Sequence, residues 1–142
     1  MFSKILVAYD GSDLAKKALN TAIQLSKLNP SSTVDIIHVY QYTYFVVGDG
    51  VFTPSVAESM DCIKRAEAVA DEARALLSSA SCEGNVVIRE GLTARSIIEY
   101  GEELGCDLIV VGSRGLSGFS ELVLGSVSHN IAQHSKVPVW IV

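Results

Sequence analysis

Asp107-Leu108-Ile109-Val110-Val111-Gly112-Ser113-Arg114-Gly115, followed ten residues on by Gly125-Ser126-Val127-Ser128, is the stretch whose reading decides the fold. Residues 107–111 form a short apolar run rich in β-branched side chains, bounded by glycine, which reads as a buried strand. Residues 126–135 read as a helix, so glycines stand where a strand ends and again where a helix begins. A backbone without Cβ atoms lets a ligand approach closely at both places. A helix N-terminus adds unpaired N–H groups and the positive end of its dipole, which favour an anion such as phosphate. Ser126, at the expected N-cap, either caps that helix or turns its hydroxyl to the anion. The stretch reads as a phosphate cradle, although glycine and serine also punctuate ordinary βα connections.

The rest of the chain repeats the alternation. Lys4 to Tyr9 is a first buried-strand run, broken by Asp10-Gly11-Ser12. A helix follows from Asp13 to Leu28, capped by Ser12 and stopped by Asn29-Pro30. Thr33 to Tyr40 is a second strand. Gln41 to Ser55 shows no steady period and reads as a long loop whose aromatics cover a ligand or partner, or pack on their own domain. Val56 to Ser79 is a long helix with apolar residues at Met60, Ile63, Ala66, Ala70, Ala73 and Leu77. Asn85 to Glu90 is a third strand, and a helix opens at Leu92 or Thr93 and ends at Gly105. The fourth strand is 107–111, a short helix is expected over 119–124, and 137–142 closes the chain as a fifth strand.

Strands alternating with helices pair in parallel through right-handed crossovers. A sheet covered on both faces explains strands that are apolar on both sides. The expectation is one α/β domain over residues 1–142, a doubly wound open five-stranded parallel sheet of order 3-2-1-4-5 with helices on both faces. Ligands of such sheets settle beyond the strands' carboxyl ends, where the strand order reverses. That point lies between strands one and four, and it brings Asp10 to the glycine stretch. Asp10 is suited to ribose hydroxyls or a hydrated metal ion, or alternatively to capping the next helix. Arg114 reaches the phosphates or stays in solvent.

At 142 residues, with 49% hydrophobic and 19% charged side chains, the chain is long enough to bury a core. A net charge of −5 and a pI near 5.1 argue against a nucleic-acid binder. No apolar run approaches a membrane span, and the opening run is too short for a signal peptide. Three scattered cysteines without a C-x-x-C suit a reduced, cytoplasmic protein. The three histidines lack metal-ligand spacing and read as structural.

Several chemistries are missing their residues. There is no G-x-x-x-x-G-K-[ST], no G-x-G-x-x-G and no G-x-S-x-G. Tyr9-Asp10-Gly11-Ser12 bears a faint likeness to the Asp-x-Asp-Gly-Thr motif of haloacid dehalogenase phosphatases, but Ala8 stands where their nucleophilic carboxylate would be. A receiver domain needs clustered acids near the first strand, and residues 4–8 hold none.

The spacing G-x2-G-x9-G-S, through Gly112, Gly115, Gly125 and Ser126, resembles the nucleotide-binding signature of the universal stress protein family, in its ATP-binding branch. The likeness covers essentially the whole chain: Lys4 to Ser12 resembles the family's opening strand and Asp-Gly-Ser turn, and Ile37-His38-Val39 its second strand. Asp107 to Gly115 and Val137 to Val142 match its two best-known stretches, with Trp140 bulkier than the aliphatic residue usual there. The resemblance implies the Rossmann-like, adenine nucleotide alpha hydrolase-like fold and an ATP or other adenine-nucleotide ligand, with Mg²⁺ or Mn²⁺ bridging the phosphates. It implies that Ala8 and Val111 flank the adenine, that the Val39 backbone bonds its edge, and that Asp10 and Gly112 meet the ribose. Gly115, Gly125, Ser126, Val127 and Ser128 would hold the phosphates, and a side chain at Gly115 or Gly125 would then occupy phosphate space. It also implies a homodimer through 137–142, an apolar edge strand that invites pairing. A regulatory nucleotide-binding module is favoured. Slow ATP hydrolysis or self-phosphorylation on the same site, and a nucleotide-free dimerisation module, are the alternatives.

Overall fold

The computed structural model describes residues 1–116 and 123–142. Its main sheet holds β1 (Lys4–Ala8), β2 (Thr33–Tyr40), β5 (Val86–Glu90), β6 (Leu108–Val111) and β7 (Val139–Ile141), all parallel, in the order β5-β2-β1-β6-β7. With the hairpin strands set aside, this is the expected order 3-2-1-4-5. The helices are α1 (Asp13–Ser26), α2 (Val56–Ser79), α3 (Thr93–Leu104) and α4 (Ser126–His134).

The alternation of side chains along β1 divides the core in two. Ile5, Val7 and Tyr9 face one side and pack with Ala15, Ala18, Leu19 and Ala22 of α1 and with Ala73 and Leu77 of α2. Leu6 and Ala8 face the other, with Ile97 of α3 and Ile131 of α4. Both faces of β1 are therefore dry, as a central parallel strand requires. Each fully buried Ile, Leu or Val contributes roughly 1.5–3 kcal/mol of transfer free energy. Alanines along α1 and α2 let these helices approach the sheet closely.

Helix starts follow their caps. Ser12 takes extended backbone and its Oγ accepts the Ala15 N–H at 3.1 Å, opening α1. Ser55 and Glu58 form a reciprocal capping box at the start of α2, with bonds of 3.2 and 2.7 Å.

One region departs from expectation. The segment read as a loop over Gln41 to Ser55 contains an antiparallel hairpin of β3 (Phe45–Val47) and β4 (Gly50–Phe52). Gly48 has φ +63° at the first position of its two-residue turn, as a type II′ hairpin needs. The helix expected over 119–124 falls mostly on residues outside those described, and residues 123–125 are not helical. No helix among the described residues is long and apolar enough to cross a membrane.

Candidate nucleotide site

The strand order reverses at β1, because the chain passes from β1 to β2 on one side and later to β6 on the other. A cleft of about 360 Å³ opens beyond the carboxyl ends of these strands, a size suited to a small ligand. All eleven residues expected at the site line it.

Ala8 and Val111, the last residues of β1 and β6, give the cleft an apolar floor together with Ile37 and Ile97. Val39 contributes its backbone. The Tyr9 N–H bonds the Ile37 carbonyl and the Gly91 N–H bonds the Tyr40 carbonyl, so alternate residues of β2 face β1 and β5 in turn. Val39 shares the orientation of Ile37, but β1 has already ended there. Its N–H and C=O are thus turned toward the cleft side of the strand.

Asp10 divides its two oxygens between two tasks. Oδ1 accepts the Ser12 N–H at 2.9 Å and closes the turn between β1 and α1. Oδ2 faces Gly115, where an added Cβ would lie 2.9 Å from it. Capping of α1 itself belongs to Ser12, which leaves one Asp10 oxygen turned to the opposite wall.

The glycines act differently from one another. At Gly112 an added Cβ would lie 3.0 Å from the Leu14 Cβ and 3.1 Å from its carbonyl carbon, so this glycine lets the end of β6 touch the first turn of α1. At Gly125 it would lie 3.1 Å from the Ser113 carbonyl oxygen and 3.4 Å from the Arg114 Cα. A side chain at 125 therefore presses on the loop's own backbone, whatever it would also take from a phosphate.

The two ends of the glycine stretch are pinned together. Gly125 N–H donates to the Ser113 carbonyl at 2.7 Å, and Ser113 N–H donates to the Val142 carbonyl at 2.8 Å. The Ser128 hydroxyl, buried, lies 3.0 Å from both the Ser113 and the Gly125 carbonyls. Ser126 is not the N-cap: Gly125 takes the extended cap conformation, and Ser126 is the exposed first residue of α4. The first bond of that helix runs from His129 N–H to the Gly125 carbonyl. The N–H groups of Ser126, Val127 and Ser128 consequently have no partner within the helix and sit at the positive end of its dipole beside the cleft. Arg114, half-buried, lies on the same wall.

Sequence reasoning missed several residues that line the cleft, Thr93, Ile97 and His38 among them. Thr93 and Ile97, one turn apart on α3, line the cleft because α3 starts where β5 ends. Their spacing and position were readable. His38 also lines it, with Nδ1 2.8 Å from the Tyr9 carbonyl oxygen, which fixes the ring against the end of β1. Below the cleft the Tyr9 hydroxyl donates to Glu72 Oε1 at 2.7 Å. Burial, and then that carboxylate, push the Tyr9 phenol well above its ordinary range.

Among the described residues an apolar floor, strand-edge backbone groups, the Asp10 carboxylate and a helix N-terminus line this cleft, in a domain of the doubly wound α/β class. The sequence model described as the Universal stress protein family matches residues 1–142, and the chain belongs to that family. The universal stress protein YxiE of Bacillus subtilis (strain 168) is 35% identical over 148 residues, covering 100% of this chain and 99% of its own. The solved universal stress protein UspA from Lactobacillus plantarum has the same fold, with a TM-score of 0.85 over 99% of this chain and 97% of its own at 20% identity. A crystal structure of a universal stress protein in complex with cAMP is 26% identical, with a TM-score of 0.74, covering 99% of this chain and 97% of that one.

Proposed function

We propose that this protein binds an adenine nucleotide in the cleft between β1 and the glycine stretch, and that it acts as a regulatory, stress-response module of the cytoplasm. The observation that carries the reading is the opposition of Asp10 Oδ2 to Gly115 beside the N–H groups that open α4 and have no partner within that helix. Anionic phosphates suit those N–H groups. The adenine lies between Ala8 and Val111 with its edge on the Val39 backbone, and the ribose lies against Asp10 and Gly112. The solved universal stress protein in complex with cAMP supports an adenine nucleotide as the class of ligand. ATP is the favoured nucleotide. Mg²⁺ or Mn²⁺ would accompany the phosphates, with Asp10 as the one carboxylate among the described residues that line the cleft.

Calorimetry with ATP and Mg²⁺ is expected to show binding, and a fluorescent ATP analogue is expected to compete. Absence of both heat and competition overturns the reading. Mass spectrometry of ligand released from the denatured protein identifies which adenine nucleotide it carries.

The same reading includes a homodimer through β7. That strand ends the sheet, and Trp140 on it is 45% exposed. An apolar edge is shielded by pairing with the same strand of a second copy under two-fold symmetry. Deleting residues 140–142 is expected to give monomers or aggregates in sedimentation velocity.

A further inference from the structure

The second bare surface of the molecule lies where the sheet stops and α2 does not. α2 is 24 residues long, or ~36 Å, while β5 beneath it spans ~17 Å. Its apolar stripe runs without a break from Val56 through Met60, Ile63, Ala66, Ala70 and Ala73 to Leu77. The lower four residues are buried, whereas Val56, Met60 and Ile63 are exposed. Residues 53–55 alone separate this helix from β4, and the Cys62 thiol donates to the Gln41 carbonyl at 3.7 Å, so hairpin and overhang share one end of the molecule.

The hairpin itself packs mainly on itself. Val46 and Val51, paired across it, are 70% and 66% exposed, and on the opposite face Val47 and Phe52 are 67% and 58% exposed. An isolated two-stranded hairpin is marginal in water and needs an apolar layer against it. This chain carries such a layer, the bare stripe of α2, yet its own hairpin leaves that stripe uncovered. With Tyr44, the exposed apolar side chains here amount to several hundred Å², on the scale of the ~800 Å² per partner that specific interfaces bury.

We propose that the β3–β4 hairpin and the upper half of α2 form a two-fold interface with a second copy of this chain, each hairpin lying on the other's bare α2 stripe. The exchange is reciprocal, as two-fold symmetry demands, and each copy supplies the layer the other lacks. From Gln41 to Ile63 the sequence holds Asp49, Glu58 and Asp61 and no Lys, Arg or His. That rim disfavours an anionic membrane surface. It also makes the two copies repel at long range, so association tightens as salt rises to about 0.5 M, the reverse of docking by a basic partner.

The interface is independent of the β7 pairing, and variants separate them. Val46→Thr, Val47→Thr and Val51→Thr together keep β-branching, and hence the hairpin, while making its surface polar. This variant is expected to raise the dissociation constant of the interface at least about tenfold in sedimentation equilibrium. With both interfaces present, it reduces a tetramer or larger species to a dimer, and Trp140→Asp leaves a dimer held by the hairpins. If β7 does not pair, the wild type is a dimer, Trp140→Asp leaves it unchanged, and the threonine variant is monomeric. A monomeric wild type at about 100 μM overturns the proposal, as does a threonine variant with the wild-type mass distribution. A second test does not depend on that variant folding. In a Cys62→Ser background, chains carrying Val51→Cys are mixed with chains carrying Met60→Cys under mild oxidation. A mixed disulfide at a level above that of a Lys17→Cys control is expected, and its absence rejects the reciprocal packing.

Discussion

Asp10 and Gly115 approach each other across the cleft, so a side chain at 115 presses on the carboxylate and narrows the space beside it. Gly115→Val is expected to weaken binding of a fluorescent ATP analogue by at least about 100-fold, while stability in urea moves by less than ~0.5 kcal/mol because the position is an exposed loop. Gly125→Val lowers both, since it presses on the Ser113 carbonyl. Gly84 supplies the contrast. An added Cβ there would overlap the Val34 carbonyl, whose strand lies fifty residues away in sequence, so Gly84→Ala is expected to cost at least ~2 kcal/mol in urea unfolding. A Gly84→Ala protein as stable as wild type would contradict this packing. The spacing of Gly112, Gly115 and Gly125 was legible because it repeats a known pattern. The need for Gly84 was not, because nothing local marks the strand it touches. Ser126 was misplaced by one residue for a related reason: a glycine cap has no side chain to announce it.

Among the elements, the five sheet strands were readable because each is a short apolar run closed by a turn signal; alternation with helices implies parallel pairing, and the order followed once strand one was placed at the centre. The hairpin was missed although Val46-Val47-Gly48-Asp49-Gly50-Val51 carries a two-residue Gly-Asp turn between β-branched runs. The aromatics around it blurred the alternation, and three-residue strands offer too few positions to establish a period. In α2 the stripe was legible but its two fates were not, since the sequence does not show where the sheet ends. The buried half is the sensitive one: Ala73→Leu forces a large side chain between α2 and the sheet and is expected to cost about 1–3 kcal/mol. Met60→Leu, on the exposed half, is expected to change stability by less than ~0.5 kcal/mol. Equal effects of the two in urea denaturation would mean that α2 is seated differently.

At the scale of the whole molecule, one hydrogen-bonded cluster joins β1, α1 and α2. The Tyr9 hydroxyl donates to Glu72 at 2.7 Å, and Lys16 of α1 pairs with the same carboxylate oxygen at 3.0 Å. The Tyr9 bond, and next the Lys16 bond, hold the Glu72 carboxyl below its ordinary 4.5. A depressed carboxylate contributes stability above that value and loses it as pH falls through the folded pKa. Burial, then the bond to Glu72, raise the Tyr9 phenol above its ordinary 10.0, so its contribution is whole below pH 10.0 and is lost as pH climbs through the raised value. The cluster is therefore strongest between pH 4.5 and pH 10.0 and weakens on both sides. Because Glu72 and Lys16 are well exposed, the ion pair adds little, and the Tyr9 bond carries most of the effect. Tyr9→Phe keeps the ring in the core and removes only the hydroxyl. It is expected to cost about 1 kcal/mol near neutral pH, with the gap to wild type closing below pH 4.5 and above pH 10.0. Urea unfolding of both proteins across that range measures the gap, and a constant offset at every pH would show that the hydroxyl's bond to Glu72 is not what joins the three elements.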